Sequence, residues 1–564
     1  MARRVNKQLQ RYLEDLDESE DGFEQSDSDV EDDHQYYTSS NQLIQDLEDS
    51  DLESDDDDAV AIPEEHSEDE FGANEQTRLA STVSKRAKVI PIWRSGNMIF
   101  DQNKITFLGD SALPDELMDC VTPYDFFSYF FTADLKGMIV EESNFYAAQK
   151  NISNPVSITI TDLNKYLGIL IYSSVAKFPN MKSYWCNKYG YDPIRTTMPQ
   201  NTFVKIGSVI HFNNNDKILP KDHPQHDKLY KIRPVIKSLR ERFGSIPMEQ
   251  KLSIDEQMCA TKIAHYMKQY LPNKPHKWGF KLYLLCSMDG FAHEFEVYTG
   301  SGNRPDLLTH EPNMGETANV VTRLIRAVPR NINHILYFDN FYTSLPLLTH
   351  LAKEGIHALG TVRLNRIKNV ELPAKKDIMK KDNPRGFYKE SLTTVDGIDV
   401  SAIVWKDNKP VNLLSTYVGA EPISTITRYD KKTHKRVSIQ CPKAVREYNA
   451  HMGGVDLMDS LIGRYRITAK SRKWTRRLFN HLLDMTVVNS WIIYKKVSLE
   501  DKSKFLNLRE FRLQLADTLC NIGSNVVKRG RPSGSGIAKE LQMKKHKGPA
   551  QAVPTKDAKP MQVP

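Results

Sequence analysis

Residues 332–351 join two kinds of pattern. Ile335, Leu336, Tyr337 and Phe338 form a short unbroken apolar run, the mark of a buried strand, and the run stops on Asp339. After a turn, Leu345, Leu347, Leu348 and Leu351 open a helix. Residues 251–258, Lys-Leu-Ser-Ile-Asp-Glu-Gln-Met, repeat the plan: an alternating, partly apolar strand delivers Asp255. Phe280–Met288 and Glu294–Tyr298 predict successive strands turned by Asp289-Gly290, and Ala318–Val328 predicts a helix. Ser401–Trp405 and Pro410–Ser415 predict a hairpin around residues 406–409. Residues 95–250 read mostly as helix. The aromatic block Tyr124–Phe131 and the nearly all-apolar Asp162–Tyr172 belong to its core. Two amphipathic helices after residue 470, ending near Cys520, are expected to pack back on that region. Strands and helices mixed around sheet-end carboxylates indicate an α/β fold.

Those carboxylates are the candidate chemistry. An unpaired carboxylate at the end of a core strand costs several kcal/mol, so Asp339 needs a partner. An Arg or Lys, the backbone N–H groups of a helix cap, or a metal ion can supply one. A third acidic site follows Gly453-Gly454, which permit a tight turn or a close approach. There Asp456 and Asp459 stand three apart and share one face if a helix begins. Three element ends offering Asp suit a hard-oxygen site for Mg²⁺. Two such ions can stabilise the attacking and leaving oxygens of a phosphoryl transfer.

Ser253-Ile-Asp-Glu256, Phe338-Asp-Asn-Phe-Tyr-Thr-Ser344 and Gly453-Gly-Val-Asp-Leu-Met-Asp459 resemble, in this order, the three catalytic blocks of piggyBac-family DNA transposases. Asp255, Asp339 and Asp456 lie 84 and 117 residues apart, and this spacing agrees too. Tyr270–Lys277, Gly360–Arg366 and Ser471–Trp474 add matches, and the resemblance spans about residues 95–532. It implies an RNase H-like core whose Asp255, Asp339 and Asp456 hold two Mg²⁺ ions, with Asp459 as a further carboxylate. It also implies a β-rich insertion and a helical dimerisation and DNA-binding domain, acting as a homodimer on transposon ends and TTAA targets. Typical members continue after a Gly-Arg-Pro into a cysteine- and histidine-rich zinc module. This sequence lacks those cysteines, so zinc is not expected and end recognition is left open.

The formal charge of +5 hides an asymmetry: residues 1–75 carry −23 and residues 76–564 carry +28. An acidic tail before a basic body suits a chain that meets a polyanion. The tail lacks apolar periodicity and is expected to be disordered, either competing with DNA or simply solubilising. The six cysteines are scattered without a Cys-x-x-Cys pair, which argues against a disulfide framework. There is no signal peptide and no run long enough to span a membrane. Ser84-Lys-Arg-Ala-Lys88 offers a basic cluster for nuclear import, and the nucleus is the expected location.

Lys274 and Lys277, in a Pro-stiffened loop, and Arg363 and Arg366 flank the acidic blocks, either as solvated charge or as phosphate contacts. Residues 464–477 hold seven basic residues, among them Arg472 and Lys473, dense enough to suggest DNA backbone contact. Arg529 and Arg531 lie in an Arg-Gly-Arg-Pro run that reads either as a minor-groove AT-hook or as linker. The expected layout is an acidic tail (1–94), a helical domain (95–250 and 460–522), a catalytic core (251–366 and 437–459), an insertion (367–436) and a basic tail (523–564). The expected function is metal-dependent DNA cleavage and strand transfer; the alternative is a domesticated DNA- or chromatin-binding descendant.

Overall fold

The computed structural model describes residues 91–272, 274, 276–300, 307–430, 434–498 and 505–523. The acidic tail up to residue 90 and the Arg529–Arg531 motif lie outside the described residues.

Among the described residues before residue 250, apart from one-turn helices, five helices form: α1 (Pro123–Phe130), α2 (Ala133–Lys150), α3 (Ile160–Val175), α4 (Gln200–Val209) and α5 (Arg233–Gly244). Their starts are written locally. Thr122 and Thr159 each form a capping box with the Asp three residues on, satisfying backbone N–H groups of the first turn. The aromatic block of α1 turns Phe126, Phe127 and Phe130 into the core, and α3 is buried nearly all round.

One mixed sheet organises the rest. Its strands are β1 (Arg94–Ser95), β2 (Lys251–Ala260), β3 (Lys268–Tyr270), β4 (Trp278–Ser287), β5 (Ala292–Val297), β6 (His334–Phe338), β7 (Ile356–Thr361), β8 (Tyr388–Val395), β9 (Ile398–Lys406) and β10 (Pro410–Ser415). They run β1-β8-β9-β10-β7-β6-β2-β4-β3, and β5 also pairs with β4. β2, β6 and β7 are mutually parallel; β4 is antiparallel to β2 and β10 to β7. The β4–β5 turn is Asp289-Gly290, with Gly290 at φ +85°, where glycine carries no steric cost. The expected 401–415 hairpin is β9–β10. It adds to the same sheet through β7 rather than standing apart, and among the described residues only β11 (Ser424–Asp430) and β12 (Lys435–Cys441) form a separate ribbon.

Further helices cover both faces: α6 (Glu316–Leu324), α7 (Leu345–Lys353), α8 (Lys443–His451), α9 (Gly454–Arg464), α10 (Trp474–Val497) and α11 (Leu508–Asn521). Strand alternation decides which face each residue serves. Leu252, Ile254, Leu336 and Phe338 pack with α6 and α7. Ile335 and Tyr337 pack with α8. Cys259, Phe280, Leu282 and Leu284 join the large core built with α1–α5 and α9–α11. No helix among the described residues is long and apolar enough to cross a membrane.

Candidate active site

β2 and β6 run parallel with Ile254 opposite Phe338, so Asp255 and Asp339 occupy the next step on adjacent strands. Asp339 folds the turn that follows. Its Oδ1 accepts the Phe341 N–H at 2.8 Å, and its carbonyl accepts the Thr343 hydroxyl at 2.7 Å. The cap of α7 is Ser344, not Asp339. Asp456 arrives on α9, whose first residue makes the approach possible. A Cβ on Gly454 would lie 2.5 Å from both Ser253 Oγ and the Ser287 carbonyl oxygen. Glycine there lets the helix start against β2 and β4, with Asp456 in its first turn and Asp459 one turn face further on.

One cation ties the site together. Lys274 Nζ donates to Asp255 Oδ2 at 2.6 Å and to Asp456 Oδ1 at 3.4 Å. Lys274 was expected among the DNA contacts. It is instead largely buried, because two carboxylates offer its ammonium what water would otherwise supply. Burial opposes its charge, but Asp255, Asp456 and Asp459 more than compensate and raise its pKa well above the usual lysine range.

The carboxylates divide accordingly. Burial works against Asp255, yet the Lys274 charge and hydrogen bonds hold its pKa below the ordinary value. Burial and the Asp255 charge push Asp339 up to about 6. Burial also raises Asp456 and takes Asp459 to about 7, against the pull of Lys274. Sequence reasoning passed over Glu256, the next residue in β2. Burial and then the Asp255 charge push it up to about 9, so it is protonated at neutral pH. Its signal was the second acid of an Asp-Glu pair inside a core strand. His481 was passed over as well: it is neutral, held down to about 3 by burial, and sits 2.7 Å from the Gln257 amide oxygen behind the site.

The donor set suits a hard divalent cation. Asp255, Asp339, Asp456 and Asp459 offer carboxylate oxygens around one ammonium, and burial is the main cause that raises Asp339 and Asp459, with neighbouring carboxylates adding to it. In the arrangement described, no three His, Cys, Asp or Glu side chains among the described residues are gathered around one ion position. The Lys274 ammonium stands between the carboxylates instead.

The other basic candidates separate into outward and inward groups. Lys277, Arg363, Arg366 and Arg472 are exposed. Arg363 also bonds Asn340 Oδ1 at 3.0 Å, and Arg366 the Phe341 carbonyl at 3.0 Å, so both brace the turn that carries Asp339. Lys473 is half-buried. Its Nζ donates to the Ser208 carbonyl at 2.9 Å, and burial lowers its pKa. Its neighbours Arg476 and Arg477 likewise cap the Gly207 and Ala260 carbonyls. Much of the 464–477 cluster therefore fastens α10 to α4 and β2, where carbonyls at element ends need donors.

The mixed sheet carries Asp255 within β2 and Asp339 just after β6, and the family model described as Transposase IS4 matches residues 122–491. The chain belongs to the piggyBac-type transposases. It is 29% identical over 479 residues to human PiggyBac transposable element-derived protein 3, covering 83% of this chain and 76% of that one. It is 26% identical over 430 residues to human PiggyBac transposable element-derived protein 2, covering 75% and 69%. Its fold is similar to that of a piggyBac transposase solved as a synaptic complex with hairpin DNA. The TM-score there is 0.60 at 20% identity, covering 79% of this chain and 94% of that one.

Proposed function

We propose that this chain is an active DNA transposase that cuts DNA at the ends of a mobile element and joins them at TTAA targets by phosphoryl transfer. The observation carrying this reading is the pairing of Asp255 and Asp456, from a strand and a distant helix, on one buried ammonium. Asp339 ends the strand beside Asp255. The strands β5-β4-β2-β6-β7 serve as the RNase H-like core expected of the family.

Asp255, Asp339 and Asp456 act as the catalytic carboxylates, with Asp459 in support. Two Mg²⁺ ions, when bound, activate the attacking oxygen and steady the leaving one. Lys274 holds Asp255 charged and draws Asp456 towards it. The turn braced by Arg363 and Arg366 keeps the free oxygen of Asp339 aimed at the site, and the exposed guanidiniums, together with Lys277 and Arg472, take DNA phosphates. Two element ends must be held at once, so the acting species is a homodimer, working in the nucleus.

The test is a cleavage and strand-transfer assay on a TTAA-flanked element, comparing wild type with Asp339→Ala. Mg²⁺-dependent products lost in the variant are expected. A second reading, a transposase-derived DNA-binding protein without transposition, draws on the Lys274 ammonium standing where the cation is needed. Tight DNA binding without cleavage by either protein would favour it.

A further inference from the structure

The hairpin that delivers Lys274 carries a second feature. Tyr266, just before β3, and Tyr270 and Trp278, on β3 and β4, are 60%, 49% and 52% exposed. Aromatic rings of this size usually bury most of their surface, and exposed apolar patches mark contact sites. Tyr270 and Trp278 face each other across the strand pair with ring centroids 4.8 Å apart. The Lys268 ammonium lies 4.9 Å from the Trp278 ring, and the Lys228 ammonium 5.6 Å from the Tyr266 ring. Residues 260–278 contain Lys262, Lys268, Lys274 and Lys277 and no Asp or Glu.

Strand register sets where this surface points. Cys259 pairs with Phe280, and Phe280 with Lys268. Residues two apart share a face, as do directly paired residues. Asp255, Gln257 and Cys259 on β2 therefore face the same side as Trp278 on β4 and as Lys268 and Tyr270 on β3. Lys274, which contacts Asp255, is four residues from each ring, so each lies within ~14 Å of it along the chain.

We propose that Tyr270 and Trp278, flanked by Lys268 and Lys277, form a stacking platform for unpaired nucleobases of the DNA strand at the carboxylate site. The inference rests on the DNA-processing function proposed above. Every base has a π-face, so aromatic stacking is tolerant of sequence, while the lysines follow the phosphates. In an intact duplex those faces are covered by neighbouring bases, so the platform favours locally melted DNA. A hairpin that needed the rings only for its own stability would bury them; half of each remains open.

The test uses the full chain in EDTA, so that no strand is cut. It compares binding to a duplex and to the same duplex with a central unpaired bubble containing 2-aminopurine. Wild type is expected to prefer the bubble and to quench the 2-aminopurine. Tyr270→Leu and Trp278→Leu should each weaken bubble binding by roughly 5- to 100-fold and leave duplex binding nearly unchanged, while Trp278→Phe keeps the preference. Equal wild-type affinity for both DNAs, or leucine variants that bind the bubble as wild type does or lose both DNAs alike, overturns the platform and leaves the proposed function standing. Failure of the wild type to bind either DNA overturns both. Should Trp278→Leu not fold, Tyr270→Leu carries the same comparison.

Discussion

Gly454 is the position where packing and proposed chemistry can be separated by one methyl group. A Cβ there would sit 2.5 Å from Ser253 Oγ and 2.5 Å from the Ser287 carbonyl oxygen. Carbon–oxygen contacts settle at about 3.3 Å or more, so α9 must withdraw by close to ~1 Å. The serine hydroxyl can rotate away, but the Ser287 oxygen belongs to β4 and cannot. Overpacking of this kind costs ~1–3 kcal/mol, partly offset by the ~1 kcal/mol by which alanine exceeds glycine in a helix. Net destabilisation of Gly454→Ala is thus at most ~2 kcal/mol, a fall of a few degrees in the thermal melt. The effect on chemistry is larger, because Asp456 moves with the helix, and a misplacement of ~1 Å can lower a rate on the order of 100-fold. Gly463→Ala is the control: its methyl meets nothing within 4 Å, and it should raise stability by up to ~1 kcal/mol with cleavage unchanged. Melting curves and the TTAA cleavage assay on both variants decide the matter. A Gly454→Ala protein with wild-type melt and wild-type cleavage refutes the close-approach argument.

Other perturbations test the electrostatics. Lys274→Met strips the ammonium from Asp255 and Asp456 and should cost about 3 kcal/mol at pH 8, less whatever solvent recovers at the 40%-exposed Asp456 side chain. Carboxylates left without their cation have raised folded pKa values, so this deficit should shrink as pH falls toward 4; a deficit constant with pH would count against it. His293 and His481 are both held down to about 3 by burial. The unfolded chain takes up protons below pH 6.5 that the fold refuses, so stability falls between about pH 6.5 and 3, by ~2 kcal/mol per histidine at pH 5. Urea melts of His481→Gln should show a shallower loss over that window, and curves parallel to wild type would reject the assignment. The Arg512–Asp484 pair is fully buried at 2.9 Å, so Arg512→Leu should cost ~3–5 kcal/mol, and adding Asp484→Asn should recover a large part. No recovery in denaturant melts would mean that packing, not charge, dominates at Arg512.

Much of the architecture could be read from local pattern. The apolar run before Asp339, the alternation that carries Asp255, the Asp289-Gly290 turn and the glycines before Asp456 all use information held within ten residues. β6, β2, the β4–β5 hairpin and α9 formed where those signals put them. Partners were not legible. A lysine has the same neighbours in sequence whether its ammonium meets water, a phosphate or a carboxylate, and Lys274 found Asp456 across 182 residues. The basic stretch at 464–477 looked like a surface for DNA, yet Lys473, Arg476 and Arg477 turn inward to carbonyls of α4 and β2. Nor did local pattern reveal that β8–β10 would extend the main sheet, because the free edge they join is β7, far from any turn that could announce it. Sequence alone determined which of these segments become strands and helices and which acidic residues they carry, since backbone preference and apolar periodicity act between near neighbours. Only the tertiary structure decided what each charge faces, because a buried charge takes whichever counter-charge the packing brings within reach.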